Sequence, residues 1–379
     1  MAELVALDLP GGAAFVRAVL ETWSAGNAVA PIDRRLAPAA RERLLEALAP
    51  SRTVTPTGTF THSAGRPVQD GDAVVMATGG STGEPKGAVL THEAVAASAR
   101  ATSERLGADP RRHRWVACLP LSHIGGFSVV SRALLTGTPL DVHEGFDPAR
   151  VIGAAGPGTL VSLVPTALSR VGAADFYKVL LGGSAPPPDL PPNVVTTYGM
   201  TETGSGVVYD GVPLAGVEVA IDRSGEIRLR GPMLLRAYRD DTVPFDGEGW
   251  LPTGDRGYLD EQGRLRVEGR LSDMVVTGGE NVWPLAVERV LAEHPGVAEV
   301  AVSSCPDPEW GERLVACVVP LDEHHPPSLP ELRALVKDHL APFAAPRELL
   351  FFSDLPKTPL GKLRRDELRR RLLLRSGAA

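Results

Sequence analysis

Cysteine is scarce: the 379-residue chain has three, Cys118, Cys305 and Cys317, and none belongs to a CxxC pair. Each falls in an apolar stretch that reads as a strand or strand end. This excludes a disulfide framework and predicts buried thiols in a reducing compartment. Basic charge is not in excess either. Lys and Arg number 39 against 46 Asp and Glu, a formal net charge of −7, which argues against a general binder of nucleic acid or membrane surfaces. No stretch approaches the roughly 18 uninterrupted apolar residues of a spanning helix. The opening MAELVALDLPGG carries Glu3 early and no basic segment before its apolar residues, so no signal peptide is expected. A cytoplasmic protein is the expectation. What is present is ordinary globular composition, 43% hydrophobic and 22% charged, enough to bury a substantial core. Gly 40 and Pro 34 predict many turns between short elements.

Short Val- and Leu-rich runs alternate with helical patterns. Ala73–Thr78 ends in a glycine-rich turn; Thr91 is placed to cap a helix running to Leu106, with Gly107 as its stop. Trp115–Leu119, Thr159–Val164, Lys178–Leu181 and Asn193–Thr197 are further strand candidates, and the rhythm predicts a largely parallel α/β sheet. Between Gly216 and Glu268 the pattern becomes hairpins, turning at Ser224-Gly225 and Gln262-Gly263. A smaller α+β unit follows, with strands in DMVVT, VAEVAVSS, RLVACVVP and RELLFF, and helices from Trp283 to His294, from Leu329 to Leu340 and at the Arg-rich terminus. The expected division is a large N-terminal α/β domain with a β-hairpin subdomain, residues 1–270, and a small C-terminal α+β domain, 271–379.

One loop carries chemistry. TGGSTGEPKG, Thr78 to Gly87, offers glycines that let backbone approach an anion, hydroxyls that donate to phosphate oxygens, and the point charge of Lys86. Alone it reads equally well as a surface turn. It is not a Walker A loop, because Gly87 and Ala88 follow the lysine where a magnesium-binding Ser or Thr is required. Further on come LPLSHIGG (119–126), YGMTET (198–203), TGD (253–255), GRLSDMVVTGGENVWP (269–284) and PKTPLGK (356–362). Six motifs in this order resemble those of the adenylate-forming superfamily of acyl- and aryl-CoA synthetases, peptide-synthetase adenylation domains and luciferases, from about residue 73 to the end.

The resemblance implies an AMP-forming acid–thiol ligase that takes ATP and CoA as co-substrates, with Mg2+. A carboxylate attacks the α-phosphorus of ATP, diphosphate leaves, and a thiol then takes the acyl group. The implied catalytic residues are Lys362, Thr201, Glu202 and His123. Lys362 bridges the acyl carboxylate and the nucleotide, Glu202 holds the metal and Thr201 bonds the α-phosphate. The implied ATP and AMP contacts are Thr78, Gly79, Ser81, Thr82, Gly83 and Lys86; Gly183, Ser184, Ala185 and Pro186; Tyr198, Gly199 and Met200; and Asp255 and Arg270 on the ribose. Gly278, Gly279 and Glu280 are implied along the pantetheine tunnel, Ser272 as the hinge of a mobile C-terminal domain. His123, Gly125, Gly126, Arg132 and Thr166 are implied around the acyl group.

GENVWP is closer to CoA ligases than to peptide-synthetase domains, which points to free CoA. Three segments, including LVSLVPTALSR and TTYGMTETGSGVVYDGVPLAGVEV, resemble CoA ligases for an aromatic acid carrying a second, aliphatic carboxylate. The carboxylate left unactivated needs a partner, and Arg132, Thr166, Ser169 and Arg170 are the candidates. The rival expectations are a ligase of secondary metabolism passing another acyl group to CoA or a carrier protein, and a catalytically silent adenylate-binding protein. The presence of Lys86, Glu202, Asp255, Arg270 and Lys362 together disfavours the second. Two departures stand out. Ser272 occupies a pivot position that is usually Asp or Lys, and only 77 residues precede Thr78, so the N-terminal region is trimmed relative to the superfamily. A compact acyl substrate, and a homodimer covering the exposed flank, are expected from that trimming.

Overall fold

The computed structural model describes residues 1–79, 85–187, 189–357 and 363–375. It divides into two compact units: Met1–Val219 with Leu229–Pro252, and Ala220–Arg228 with Thr253–Ala379.

In the first unit the chain begins β1 (Leu4–Leu7), α1 (Ala13–Ser24), β2 (Ala28–Pro31), α2 (Pro38–Leu48), β3 (Arg52–Thr55), β4 (Gly58–Thr61), β5 (Asp72–Gly79) and β6 (Pro85–Thr91). It continues with α3 (His92–Leu106), β7 (Arg114–Ala117), α4 (Ile124–Thr136), β8 (Leu140–Val142), α5 (Pro148–Gly153), β9 (Gly156–Leu163), α6 (Pro165–Val171), β10 (Phe176–Leu181), β11 (Val194–Met200), β12 (Ser205–Tyr209) and β13 (Val212–Pro213). Two seven-stranded sheets result. One has the order β16–β6–β5–β2–β1–β3–β4, where β16 is Ala237–Tyr238; the other runs β13–β12–β11–β10–β9–β7–β8. In the second, β8, β7, β9, β10 and β11 are parallel, as the alternating pattern predicts. Every residue of β1 and β2 is buried, the continuous apolar strand of a sheet covered on both faces. The core of the second sheet collects Val116, Cys118, Val161, Leu163, Val179 and Leu181.

The cap signals hold. Thr91 Oγ1 accepts from the Ala94 amide at 3.1 Å, and Gly107 closes α3 with φ +62°. The phosphate loop lies between two antiparallel strands, with Thr78 facing Lys86 in register. The second strand, β6, has no counterpart in the sequence reading.

The second unit holds most of a four-stranded sheet in the order β14 (Glu218–Ile221), β15 (Glu226–Arg230), β17 (Leu251–Leu259) and β18 (Leu265–Arg270). Gly225 and Gly263 turn its hairpins with φ +83° and +71°, the left-handed values a tight turn demands. Then come β19 (Val275–Thr277), β20 (Glu280–Val282), α7 (Pro284–Ala292), β21 (Val297–Asp307), β22 (Gly311–Pro320), α8 (Leu329–His339), β23 (Glu348–Phe351) and α9 (Arg365–Arg375). The five strands from β19 to β23 form one sheet, with α7 and α8 over a core of Val287, Leu291, Val302, Leu314, Leu332 and Val336. Helix α9 inserts Leu368 and Leu372 into a second cluster with Cys305 and Cys317. All three cysteines are buried free thiols, and burial pushes Cys118 and Cys317 up to about 12. No helix among the described residues is long and apolar enough to cross a membrane.

Candidate active site

Parallel strands present their carboxyl ends on one edge, where helix starts and loops leave room for a ligand. In the second sheet, β7, β9, β10 and β11 deliver four of the motif segments to that edge. His123, Gly125 and Gly126 follow β7; Thr166 follows β9; Gly183 to Pro186 follow β10; Tyr198 to Glu202 close β11.

The YGMTET segment is held tightly. Thr201–Thr203 form a single 3-10 turn. The Met200 amide donates to Thr203 Oγ1 at 2.9 Å, and the Leu235 amide to the Glu202 carbonyl at 2.7 Å. The side chain of Glu202 accepts from the Tyr238 hydroxyl at 3.0 Å. Burial, then the neighbouring carboxylate, raises the Tyr238 pKa, so the phenol stays a donor. The Lys86 Nζ lies 5.2 Å from the centre of the Tyr238 ring, within reach of a cation–π contact. An ammonium, a phenol and a carboxylate thus stand in successive contact, drawn from β6, β16 and the turn after β11. Tyr238 was not among the sequence-predicted residues; its bond to Glu202 spans 36 positions, and no local pattern announces it.

Ser81, Thr82 and Gly83 of the phosphate loop lie outside the described residues, as does Lys362. Of the adenine-loop residues, Gly183, with φ +86°, Ser184 and Pro186 are exposed and Ala185 is half-buried. A Cβ on Gly182 would stand 2.4 Å from Thr197 Oγ1, and one on Gly199 2.2 Å from the Ser205 carbonyl oxygen. Tyr198 is partly exposed on β11.

His123 precedes the first turn of α4, with its ring half exposed and Nε2 3.7 Å from Asp33 Oδ2. The protein packed round the ring lowers its pKa, and the Asp33 carboxylate opposes this. Asp33 is itself held low by Arg35, whose guanidinium donates to both carboxylate oxygens at 2.8 and 2.7 Å. These N-terminal neighbours were also missed by the sequence reading. Gly126 is required by space: a Cβ there would meet the Pro120 carbonyl oxygen at 2.4 Å.

Arg132 is not a helix-surface charge. Expected among residues around the acyl group, or else as a helix-surface charge, it is 1% exposed and lies 4.7 Å over the Trp115 ring. Neither Nε nor Nη1 has a hydrogen-bond partner among the described residues. Its side chain sits on the inward face of α4, and burial lowers its pKa. Thr166, Ser169 and Arg170 are exposed, Arg170 lying 5.3 Å over the Phe146 ring.

In the second unit, Asp255 is 7% exposed and its Oδ1 takes Arg270 Nε at 2.8 Å. The two residues expected to reach a ribose separately are therefore paired with each other. Gly278 and Gly279 form the β19–β20 turn with φ +61° and +83°. The Gly278 amide donates to the Trp310 carbonyl at 2.9 Å, and a Cβ on Gly278 would strike the Trp310 ring at 2.6 Å. Gly279 faces open space, and Glu280 is exposed. Ser272 is exposed, its Oγ 3.4 Å from Asp273 Oδ1.

Residues 59–239 match the family model described as AMP-binding enzyme, and residues 286–362 match the AMP-binding enzyme C-terminal domain. The chain belongs to the AMP-binding enzyme family, the adenylate-forming class that the motifs resemble. More particularly, it is 39% identical over 333 residues to a probable 2-succinylbenzoate–CoA ligase of Mycobacterium tuberculosis, covering 81% of this chain and 86% of the relative. A 2-succinylbenzoate–CoA ligase of Listeria monocytogenes is 34% identical, over 79% of this chain and 70% of its own length. Among solved structures, the o-succinylbenzoate CoA synthetase (MenE) of Bacillus subtilis, in complex with the acyl-adenylate intermediate OSB-AMP, matches with a TM-score of 0.83 and 29% identity. That match covers 97% of this chain and 88% of the other.

Proposed function

We propose that the protein is an AMP-forming 2-succinylbenzoate–CoA ligase: 2-succinylbenzoate, ATP and CoA give 2-succinylbenzoyl-CoA, AMP and diphosphate. The observation that carries the chemistry is the successive contact of Lys86, Tyr238 and Glu202 beside the carboxyl edge of four parallel strands. The substrate rests on the similarity to the mycobacterial and listerial ligases over most of their length.

In the first half-reaction a carboxylate oxygen bonds to the α-phosphorus of ATP and the bond to the β-phosphate bridging oxygen breaks, releasing diphosphate. Two anions must meet, so the chain's task is to place positive charge and donors around the transferring group. Lys86 supplies charge at the phosphate loop, the Thr201 hydroxyl reaches the α-phosphate, and Tyr198 offers a ring to adenine. Lys362 brings the ammonium that draws acyl carboxylate and nucleotide together. Glu202 suits Mg2+: its carboxylate is a hard donor, and Tyr238 bonds one oxygen. A magnesium ion held by Glu202 would supply neutralisation of phosphate charge. Asp255 accepts from the ribose hydroxyls, with Arg270 orienting its carboxylate. In the second half-reaction the CoA sulfur displaces AMP from the acyl carbon; the exposed Gly278–Gly279 turn borders its tunnel and Ser272 is the pivot between residues 1–270 and 271–379. His123, its ring neutral at pH 7, gates the acyl pocket with Gly125 and Gly126, and Thr166, Ser169 and Arg170 meet the substrate's aromatic carboxylate. The enzyme is cytoplasmic and works as a homodimer.

The test is diphosphate release over a panel of acids. 2-Succinylbenzoate should turn over far faster than simple benzoates and medium-chain fatty acids. Equal rates would remove the substrate assignment and leave the family membership standing. A monomeric mass by light scattering at working concentration would remove the dimer.

A further inference from the structure

Three functional segments of the second unit converge on one guanidinium. Arg365 is the first residue of α9, three positions after Lys362. It donates to both oxygens of Glu288, Nη1 to Oε1 at 2.9 Å and Nη2 to Oε2 at 2.7 Å. Nη1 also reaches the Val302 carbonyl at 3.2 Å, and Nε lies 3.1 Å from Asp273 Oδ2. Glu288 belongs to α7, the helix that follows GGENVWP; it is 8% exposed and also accepts from the Val302 amide at 2.7 Å. Asp273 directly follows Ser272. A planar fork, hydrogen-bonded through Nη1 and Nη2 and ion-paired through Nε, therefore ties the segment after the pivot, the helix behind the Gly278–Gly279 turn, and the helix that starts just beyond Lys362.

Resting on the roles given above to Lys362 and Ser272, we propose that Arg365 is a positioning residue for adenylation. It fixes the stem of the Lys362 segment to the pivot, so that the two are carried as one piece. Docking α9 does not require this: Leu368 and Leu372 anchor the helix in an apolar cluster with Cys305, Cys317, Phe352 and Leu355. The upstream side of the stem is secured separately. Lys357 bridges to Leu363, the Arg364 amide donates to the Pro356 carbonyl at 2.8 Å, and Lys357 Nζ meets Glu299 Oε1 at 2.5 Å. The ion pair with Asp273 adds nothing to these anchors except registry with the pivot. Such a pair acts on geometry, and small misplacements of a reacting group are costly.

The experiment uses the full chain and reads the two half-reactions separately. Asp273→Asn weakens the pivot arm and leaves the Glu288 fork. It should lower kcat for diphosphate release about tenfold, with KM for ATP and the thermal midpoint unchanged. Thioester formation from supplied acyl-adenylate and CoA, which does not use Lys362, should fall less than about twofold. Arg365→Lys cannot span the same acceptors and should show the same split, and the double variant should be no slower than the worse single one. Wild-type diphosphate release in Asp273→Asn overturns the proposal. So do additive losses, or a parallel fall of both half-reactions with the thermal midpoint. Lys362→Ala separates the failures: if it adenylates normally, the role of Lys362 falls and this proposal with it. If Lys362→Ala is inactive in adenylation while Asp273→Asn is not impaired, the positioning role alone is overturned.

Discussion

Gly126, Gly182 and Gly199 of the first unit and Gly279 of the second answer to different constraints. In the first unit, Gly126, Gly182 and Gly199 sit where neighbouring atoms leave no room: a Cβ would stand 2.4, 2.4 and 2.2 Å from the nearest atom, twice a backbone carbonyl oxygen. In the second unit, Gly279 has nothing within 4 Å of its Cβ position, and its requirement is φ +83°. The edge where the first unit presents its motif residues is therefore set by strand ends in steric contact, which cannot give without moving a sheet. The motifs of the second unit are set by turn conformation and by ion pairs such as Asp255–Arg270 and Arg365–Glu288, with one steric contact, Gly278 against the Trp310 ring. The first kind of position is fixed by packing, the second by backbone conformation and charge.

Removing the charge delivered by the second unit should give the largest effect. Lys362→Ala is expected to slow diphosphate release by about a hundredfold or more, the scale of losing a transition-state donor, while thioester formation from supplied acyl-adenylate persists. Equal loss of both half-reactions would erase the division of labour between the units. A matched pair of glycine variants sharpens the contrast. Gly199→Ala drives a methyl into the Ser205 carbonyl and should cost about 1–3 kcal/mol of stability, read by denaturant unfolding, together with adenylation. Gly279→Ala meets no atom and should cost only about 1–2 kcal/mol of local backbone strain, slowing thioester formation and sparing adenylation. If Gly199→Ala unfolds like the wild type, the first unit is less constrained than its packing implies. Tyr238→Phe is milder: it deletes one hydrogen bond to Glu202, worth about 1 kcal/mol, and should slow adenylation about fivefold without affecting the thiol step.

Much of this was legible from sequence because the signals are local. Thr91 and Gly107 bound α3, Gly225 and Gly263 turn hairpins, and the strands and helices after Ser272 follow their patterns. What was illegible is of two kinds. The segment before β5 holds β1 to β4 with α1 and α2, and its strands β1 and β2 are four-residue runs buried at every position, which carry no periodicity. Likewise β6 was masked by the glycine-rich loop that precedes it. The second kind is contact between distant residues. Tyr238 on Glu202, Asp33 beside His123 and Arg365 on Asp273 are set by topology, and no spacing encodes them. Arg132 belongs here too, since arginine is so seldom buried that its inward position has no sequence signature.

The smallest effect is electrostatic and tests the surroundings of His123 in the first unit. His123 is held below the ordinary histidine value of about 6.5, chiefly by the protein packed around its ring and opposed by the Asp33 carboxylate. Because the folded pKa is depressed, the unfolded chain takes up the proton first as pH falls. Stability attached to this ring is therefore complete above the ordinary value and is lost as pH drops through it. Asp33 has the carboxylate sign: the Arg35 pair lowers its pKa, so its contribution stands above the ordinary aspartate range and disappears only in stronger acid. Asp33→Asn should lower the His123 midpoint further, read by NMR titration of the ring, since it removes a nearby anion and leaves the Arg35 cation without that partner. A midpoint that rises instead would mean that Asp33 acts by packing the ring and excluding water from it. His123 would then be held by contact alone, and the two units would differ even more sharply in how their functional groups are kept in place.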